Sequence, residues 1–192
     1  TKKKIIMKKY LALTVLLFAF SSVHSQVTRL VLHEHFTQAS CGPCATYGPP
    51  YNALLAANPT KIAKISYQAH FPGTDPMNAA NPGPALTRYN YYSANAVPRV
   101  YNQTMYGAGG SSPSSVTQAQ IDARYNTAPD WSVTVTHQLT SGYDSAQVVV
   151  IVANATSSTL TSGTTGSLKL HLVMVEETIT YSSPPGSNGE TI

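Results

Sequence analysis

The only two cysteines in the 192-residue chain are Cys41 and Cys44, with Gly42-Pro43 between them. Thiols at this spacing can close a disulfide on each other or pass one to a second molecule. An apolar run, Leu30-Val31-Leu32-His33-Glu34-His35-Phe36, precedes them and reads as a strand. Ala45-Thr46-Tyr47 follows and can open a helix. A Cys-x-x-Cys pair at a strand-to-helix turn is the sequence form of a dithiol redox site. Cys41 would sit at the helix N-terminus, where unpaired N–H groups and the helix dipole favour negative charge. That lowers the thiol pKa and raises the thiolate fraction. Cys44, one turn on, can attack a mixed disulfide formed by Cys41. Pro43 suits a first helical turn, since the N–H it lacks would be unpaired there.

Three other readings fit the same residues. A purely structural disulfide across so short a loop stabilises by roughly 2 kcal/mol at best. Cys41 and Cys44, with His35 or His70, could capture Cu(I) or zinc through soft thiolates. A redox fold whose site has lost its activity is the third. The preferred reading involves no metal and no cofactor.

Two further residues bear on the chemistry. His35 lies six positions before Cys41, at the end of the strand, where a proton acceptor could serve Cys44; a hydrogen-bonded structural histidine is the alternative. Val97-Pro98 places a β-branched residue before proline at a strand start, a context that invites a cis peptide bond. Proline there also removes an N–H and opens room for a substrate chain beside the sulfurs. Gly42, Pro43 and the Val97 backbone would receive that chain. His70, at the end of the second strand, could transfer a proton or bind metal, or could simply anchor its loop.

The elements that position these residues follow from the pattern. Residues 27–36 are apolar on both faces, as suits a central strand covered on two sides. A helix is expected over 43–58, with Ala53, Leu54, Leu55, Ala56 and Ala57 as its apolar face, kinked or split by Pro49-Pro50. A strand over 61–67 completes a βαβ unit. Residues 70–84 hold four prolines and two glycines, an insertion of the kind that covers sites, with room for a short helix near 77–80. A helix over 85–94 follows, with Leu86, Tyr89 and Tyr92 on one face, then the strand of Val97-Pro98. Residues 107–114 read as a loop, and 115–126 as a helix capped by Ser114 or Ser115, with Val116, Ile121 and Tyr125 inward.

Ala128-Pro129-Asp130 is the expected domain boundary, and beyond it the pattern is all β. Trp131, Val133 and Val135 alternate with Ser132, Thr134 and Thr136; residues 148–153 read as a buried strand; and 168–175 alternate again. Three or four strands are too few for a closed sandwich, so the chain reads as a fragment of a longer protein. The expected organisation is a leader over 1–25, an α/β redox domain over 26–128, and part of an immunoglobulin-like β-sandwich over 129–192.

The leader carries lysines, a ten-residue stretch over 11–20 that is apolar apart from Thr14, and small residues at Val23 and Ser25. This is a secretory signal, too short to span a bilayer as a mature helix. Its five lysines are most of the excess positive charge; the remainder has seven basic residues against eight acidic ones. The basic balance therefore gives no ground for nucleic-acid binding, and there is no basic patch interleaved with aromatics. Export to the periplasm, outer membrane or cell surface places the cysteines in an oxidising compartment.

Cys41-Gly42-Pro43-Cys44, Pro49 and Val97-Pro98 resemble the thioredoxin superfamily over residues 27–126. The resemblance implies that Cys41 attacks, Cys44 resolves and Pro98 is the cis-proline beside them. Ser40 stands where an aromatic is usual, and His35 where that family has a buried acid. The whole arrangement is similar to the Omp28-related proteins of Bacteroidetes-type bacteria. Leu32-His33-Glu34-His35-Phe36-Thr37, the proline-rich insertion, and Val173-Met174-Val175-Glu176-Glu177 with Gly186-Ser187-Asn188-Gly189 carry that likeness. It implies an envelope location with a cell-envelope partner. The function expected is thiol–disulfide exchange on protein thiols or disulfides. The alternative is a surface binding or scaffold module with a permanent Cys41–Cys44 bond.

Overall fold

A computed structural model describes residues 27–102, 109–142, 144–156 and 169–175. Residues 1–26, 103–108, 143, 157–168 and 176–192 lie outside the described residues, and with them the expected signal sequence and the Gly186-Ser187-Asn188-Gly189 motif. The described chain is mixed α/β, with two small sheets and four helices.

Strand β1 (Val31–Thr37) is the centre of the first sheet. It pairs in parallel with β2 (Ile62–Gln68), with Val31 opposite Ile62 and Thr37 opposite Gln68. On its other side it pairs antiparallel with β3 (Arg99–Tyr101), with His35 opposite Val100. The double-sided apolar pattern is explained by this position: all of β1 except Leu32 is buried. The strand begins at Val31 rather than Val27, because β2 begins at Ile62 and leaves residues 27–30 without a sheet partner.

Helix α1 (Gly42–Ala56) connects β1 to β2. It runs unbroken through Pro49 and Pro50, so of the expected kink or split the split does not occur. Both prolines are exposed, as is Thr46, and Ala45 is half-buried. The carbonyls of Ala45 and Thr46, which lose their intrahelical donors to the prolines, therefore lie on the outer side of the helix, where water can bond them. The face turned to the sheet also differs from the expected one. It is the stripe Cys44, Gly48, Tyr51 and Leu55, while Ala53, Ala56 and Ala57 are exposed. Positions i, i+4, i+7 and i+11 share one helix face.

Beyond β2, α2 (Pro76–Ala80) is the short helix expected in the insertion. Helix α3 (Pro82–Tyr91) starts earlier than expected, because prolines are favourable in a first turn. Its inward positions are Ala85, Arg88, Tyr89 and, just past its end, Tyr92; Leu86 is exposed. After β3, Ser111 bridges back to Val100, and Gly110, at φ +64°, brings the chain against the Val100 carbonyl and the Tyr101 ring. Any Cβ there would lie 2.9 Å from both. A 3-10 turn (Pro113–Ser115) leads to α4 (Gln118–Tyr125), capped by Thr117 rather than a serine. Thr117 and Gln120 form a reciprocal capping box, which the expectation overlooked.

Two cores flank the sheet. Val31, Ile62 and Val100 pack with Tyr51 and Leu55 of α1 and with Val116 and Ile121. On the opposite face Phe36, Tyr67, Ala85, Ala94 and Tyr101 pack with Tyr89, Tyr92 and Val97. Phe36 contacts the rings of Tyr67, Tyr89, Tyr92 and Tyr101, all with centroids between 5.2 and 6.1 Å.

The second sheet is an antiparallel ribbon of β4 (Trp131–Leu139) and β5 (Ala146–Asn154). Trp131, Val133, Val135, Val149, Ile151 and Val152 are exposed, so the expectation of a buried strand over 148–153 is corrected. No third strand covers the ribbon among the described residues. The described residues 169–175 form no strand and are exposed.

Candidate functional site

Cys41 is the N-cap of α1, in extended conformation at φ −92° and ψ 111°. Extended backbone at the cap turns its side chain toward the free N–H groups of the first turn. The Cys44 N–H donates to Cys41 Sγ at 3.1 Å. Cys41 and Cys44 are joined as a disulfide, with their Cα atoms 5.2 Å apart. Both residues are buried, Cys41 with 2% of its surface exposed, while Gly42 and Pro43 between them are exposed. The turn is therefore open to solvent at Gly42 and Pro43 and closed at both sulfurs. A Cβ at Gly42 would meet nothing within 4 Å.

The Val97–Pro98 peptide bond is cis, as is Phe71–Pro72. Cys41 Sγ lies 3.9 Å from the Val97 carbonyl oxygen. In the disulfide this is a contact without a proton; on reduction the Cys41 thiol has that oxygen as an acceptor. Cys41 and Val97, 56 positions apart in sequence, are thus neighbours, with Pro98 buried beside them.

His35 is fully buried in the middle of the sheet, opposite Ser66 and Val100. Its ring meets the Tyr51 ring edge-on at 5.2 Å, on the same helix stripe that carries Cys44. Neither of its nitrogens has a hydrogen-bond partner among the described residues; the same holds for Ser66 Oγ and both polar atoms of the Gln68 side chain. These groups share a sheet face, because register pairs His35 with Ser66 and Thr37 with Gln68. Burial, followed by the charges of Lys64 and His33, pushes the His35 pKa down to about 3. Burial alone lowers that of His33 to about 4, and its Nδ1 lies 3.0 Å from Tyr51 Oη. Both imidazoles are neutral at neutral pH.

His70 is not beside the sulfurs in any described contact. It is exposed and packs edge-on against Phe71 and Tyr89 at 5.2 and 5.5 Å. Among the described residues no group of three or more His, Cys, Asp or Glu could hold a metal ion, and both sulfurs are engaged with each other.

Two clusters were missed in the sequence. Glu34, on the face of β1 opposite His35, accepts from Arg88 Nε at 2.5 Å and Nη2 at 2.6 Å, from Tyr67 Oη at 3.1 Å, and from Tyr92 Oη. Burial opposes its charge, but these bonds and the guanidinium outweigh it and lower the carboxyl pKa. A carboxylate inside an apolar strand was the available signal, since a buried charge requires a partner. Asp75 is the second. It is buried in the insertion, and its Oδ2 accepts the Ala39 N–H at 2.8 Å. Its sequence signal, Asp before Pro at a helix start, pointed to the cap of α2 only.

Comparison with known proteins leaves the site to be read from its own geometry: no family model matches the chain, and no curated protein or solved structure matches it. Among the described residues no helix is long and apolar enough to cross a membrane.

Proposed function

We propose that the chain is an exported thiol–disulfide exchange protein, with a thioredoxin-like domain over 26–128 followed by part of an immunoglobulin-like sandwich. The observation that carries this reading is the Cys41–Cys44 disulfide capping α1 with the Val97 carbonyl 3.9 Å from Cys41 Sγ. A sheet whose motif strand lies between a parallel partner and an antiparallel one entered through Val97–Pro98 supports it. The Omp28-related likeness adds an envelope location and a cell-envelope partner to the proposal.

In the reducing direction the Cys41 thiolate attacks a substrate disulfide and forms a mixed disulfide. One substrate sulfur leaves as thiolate and takes a proton. The Cys44 thiol then gives up its proton and attacks Cys41 Sγ. The second substrate thiol leaves, and the Cys41–Cys44 bond closes. Two electrons have passed to the substrate, and the protein is oxidised; the reverse sequence oxidises a substrate dithiol. The Cys44 N–H favours the Cys41 thiolate; for the Cys44 proton we propose the buried, neutral His35 as a transient acceptor, its basicity weakened by the same burial. A neutral imidazole, unlike a carboxylate, adds no negative charge near the Cys44 thiolate as it forms. Gly42, Pro43 and Val97 receive the substrate chain, and Pro98 holds Val97 in place.

The test is equilibration in glutathione and dithiothreitol buffers. A reversible two-electron potential between about −270 and −120 mV is the expected result, and its value gives the direction. Replacing Cys41 by Ser abolishes exchange; retained activity refutes the role.

The near-complete burial of Cys41, together with the exposed apolar ribbon, favours a second reading: a surface binding or scaffold module with a permanent disulfide. A bond that resists reduction until the chain unfolds selects it.

A further inference from the structure

The insertion and the redox turn are bonded to each other along three consecutive residues. Gln38 Nε2 donates to the Gly73 carbonyl at 2.7 Å, and Ser40 Oγ to the Thr74 carbonyl at 2.5 Å. Ala39 N–H donates to Asp75 Oδ2 at 2.8 Å. The Gln38 side chain also receives the Ser40 N–H on its Oε1 at 2.6 Å, so one amide holds both sides of the junction. The approach is close: a Cβ on Gly73 would lie 2.9 Å from Ser40 Cβ. The Asp75 carboxylate divides its work. Oδ1 accepts from Met77 N–H at 2.8 Å and Asn78 N–H at 3.0 Å, capping α2, while Oδ2 reaches 36 positions back in sequence.

A cap for α2 needs only one of these oxygens. The second serves the segment that leads directly into Cys41, and it is buried there, where a charged acceptor holds an N–H most firmly. Resting on the thiol–disulfide exchange reading, we propose that residues 73–75 are a strap that sets the accessibility of Cys41, with Asp75 as a positioning residue for the reaction. Substrate reaches Sγ only through a turn whose N-terminal flank this strap holds in place.

Asp75→Asn leaves one acceptor for the two tasks. Its amide oxygen can cap α2 or accept from Ala39, but its NH2 group cannot replace the other oxygen. The full chain is reduced with dithiothreitol in 0 to 2 M urea. Dithiothreitol supplies two electrons and two protons and closes its own disulfide, leaving two protein thiols. Global stability is measured in parallel by urea unfolding. The wild-type rate is expected to be independent of urea at its low end, which marks reduction within the folded state. Asp75→Asn is expected to raise that rate roughly tenfold, the effect of losing one charge-assisted hydrogen bond on a local opening. Gly73→Ala, which forces Ser40 away from the strap, is expected to raise it as well. Wild-type rates in both variants overturn the strap. So does an increase that only follows the loss of global stability, since that is what a merely structural residue gives. A wild-type disulfide reduced only by global unfolding overturns the exchange reading and the strap with it, and this outcome is visible before any variant is made.

Discussion

His33 and His35 set the pH response of the folded chain. Their folded pKa values, about 4 and about 3, lie below the ordinary histidine value of 6.5. Between the folded and ordinary values the unfolded chain binds more protons, so stability falls as pH drops below about 6.5. It is fully present above that pH. Each histidine contributes a slope of at most about 1.4 kcal/mol per pH unit within its window. Urea unfolding between pH 4.5 and 7.5 should show this loss. His35→Gln, which cannot be protonated there, should flatten it, and an unchanged slope would assign the loss to other groups. The same variant should slow closure of the Cys41–Cys44 bond from a mixed disulfide, read as a single-turnover rate, if His35 takes the Cys44 proton. Glu34 acts lower on the scale. Its lowered pKa gives stability that is present above its ordinary value of 4.5 and lost as pH falls below it.

At the scale of elements, β1 joins two faces with opposite chemistry. Toward α1 it presents neutral histidines, and toward α3 a charged carboxylate held by Arg88, Tyr67 and Tyr92. Removing Arg88 leaves the Glu34 charge buried without its cation. Arg88→Met should therefore destabilise by about 3 kcal/mol or more. Adding Glu34→Gln should recover part of that loss, and a double variant no better than the single would show that the charge is not the cause. Phe36 ties β1 to β2, β3 and the end of α3 through four rings. Phe36→Ala should cost ~3–5 kcal/mol, as cavities left by large aromatics do. Both are measured by urea unfolding with the disulfide intact.

At the scale of the molecule, the two sheets differ in how they are covered. The first has an apolar core on each face. The ribbon keeps Trp131, Val133, Val135, Val149, Ile151 and Val152 exposed. The thioredoxin-like domain proposed for 26–128 should accordingly unfold cooperatively by itself, with a urea midpoint close to that of the full chain. A midpoint that collapses on removing the ribbon would show that the ribbon stabilises the first sheet. The contacts of Arg29 with the carbonyls of Thr127 and Ala128, at 3.1 and 3.2 Å, lie within the retained residues.

The sequence by itself determined what is local in origin. A Cys-Gly-Pro-Cys turn after an apolar run fixes a strand, a helix start and a sulfur at its cap, because each depends on residues within a few positions. The double-sided apolar pattern of 27–36 marked a central strand for the same reason, and the structure forms it over Val31–Thr37. Composition likewise pointed to turns in the insertion and strands after Asp130. What only the tertiary structure decided depends on residues far apart in the chain. Glu34 stands inside an apolar strand, and its cation is Arg88, 54 positions on. Asp75 caps α2 locally, but its second oxygen meets Ala39, 36 positions back. Pro49 and Pro50 read as a kink or a split, and the helix is not split: Cys44, Gly48, Tyr51 and Leu55 form one buried stripe across them. Residues 148–153 read as buried because they are apolar, yet burial requires a covering layer, and apolar pattern alone does not provide one.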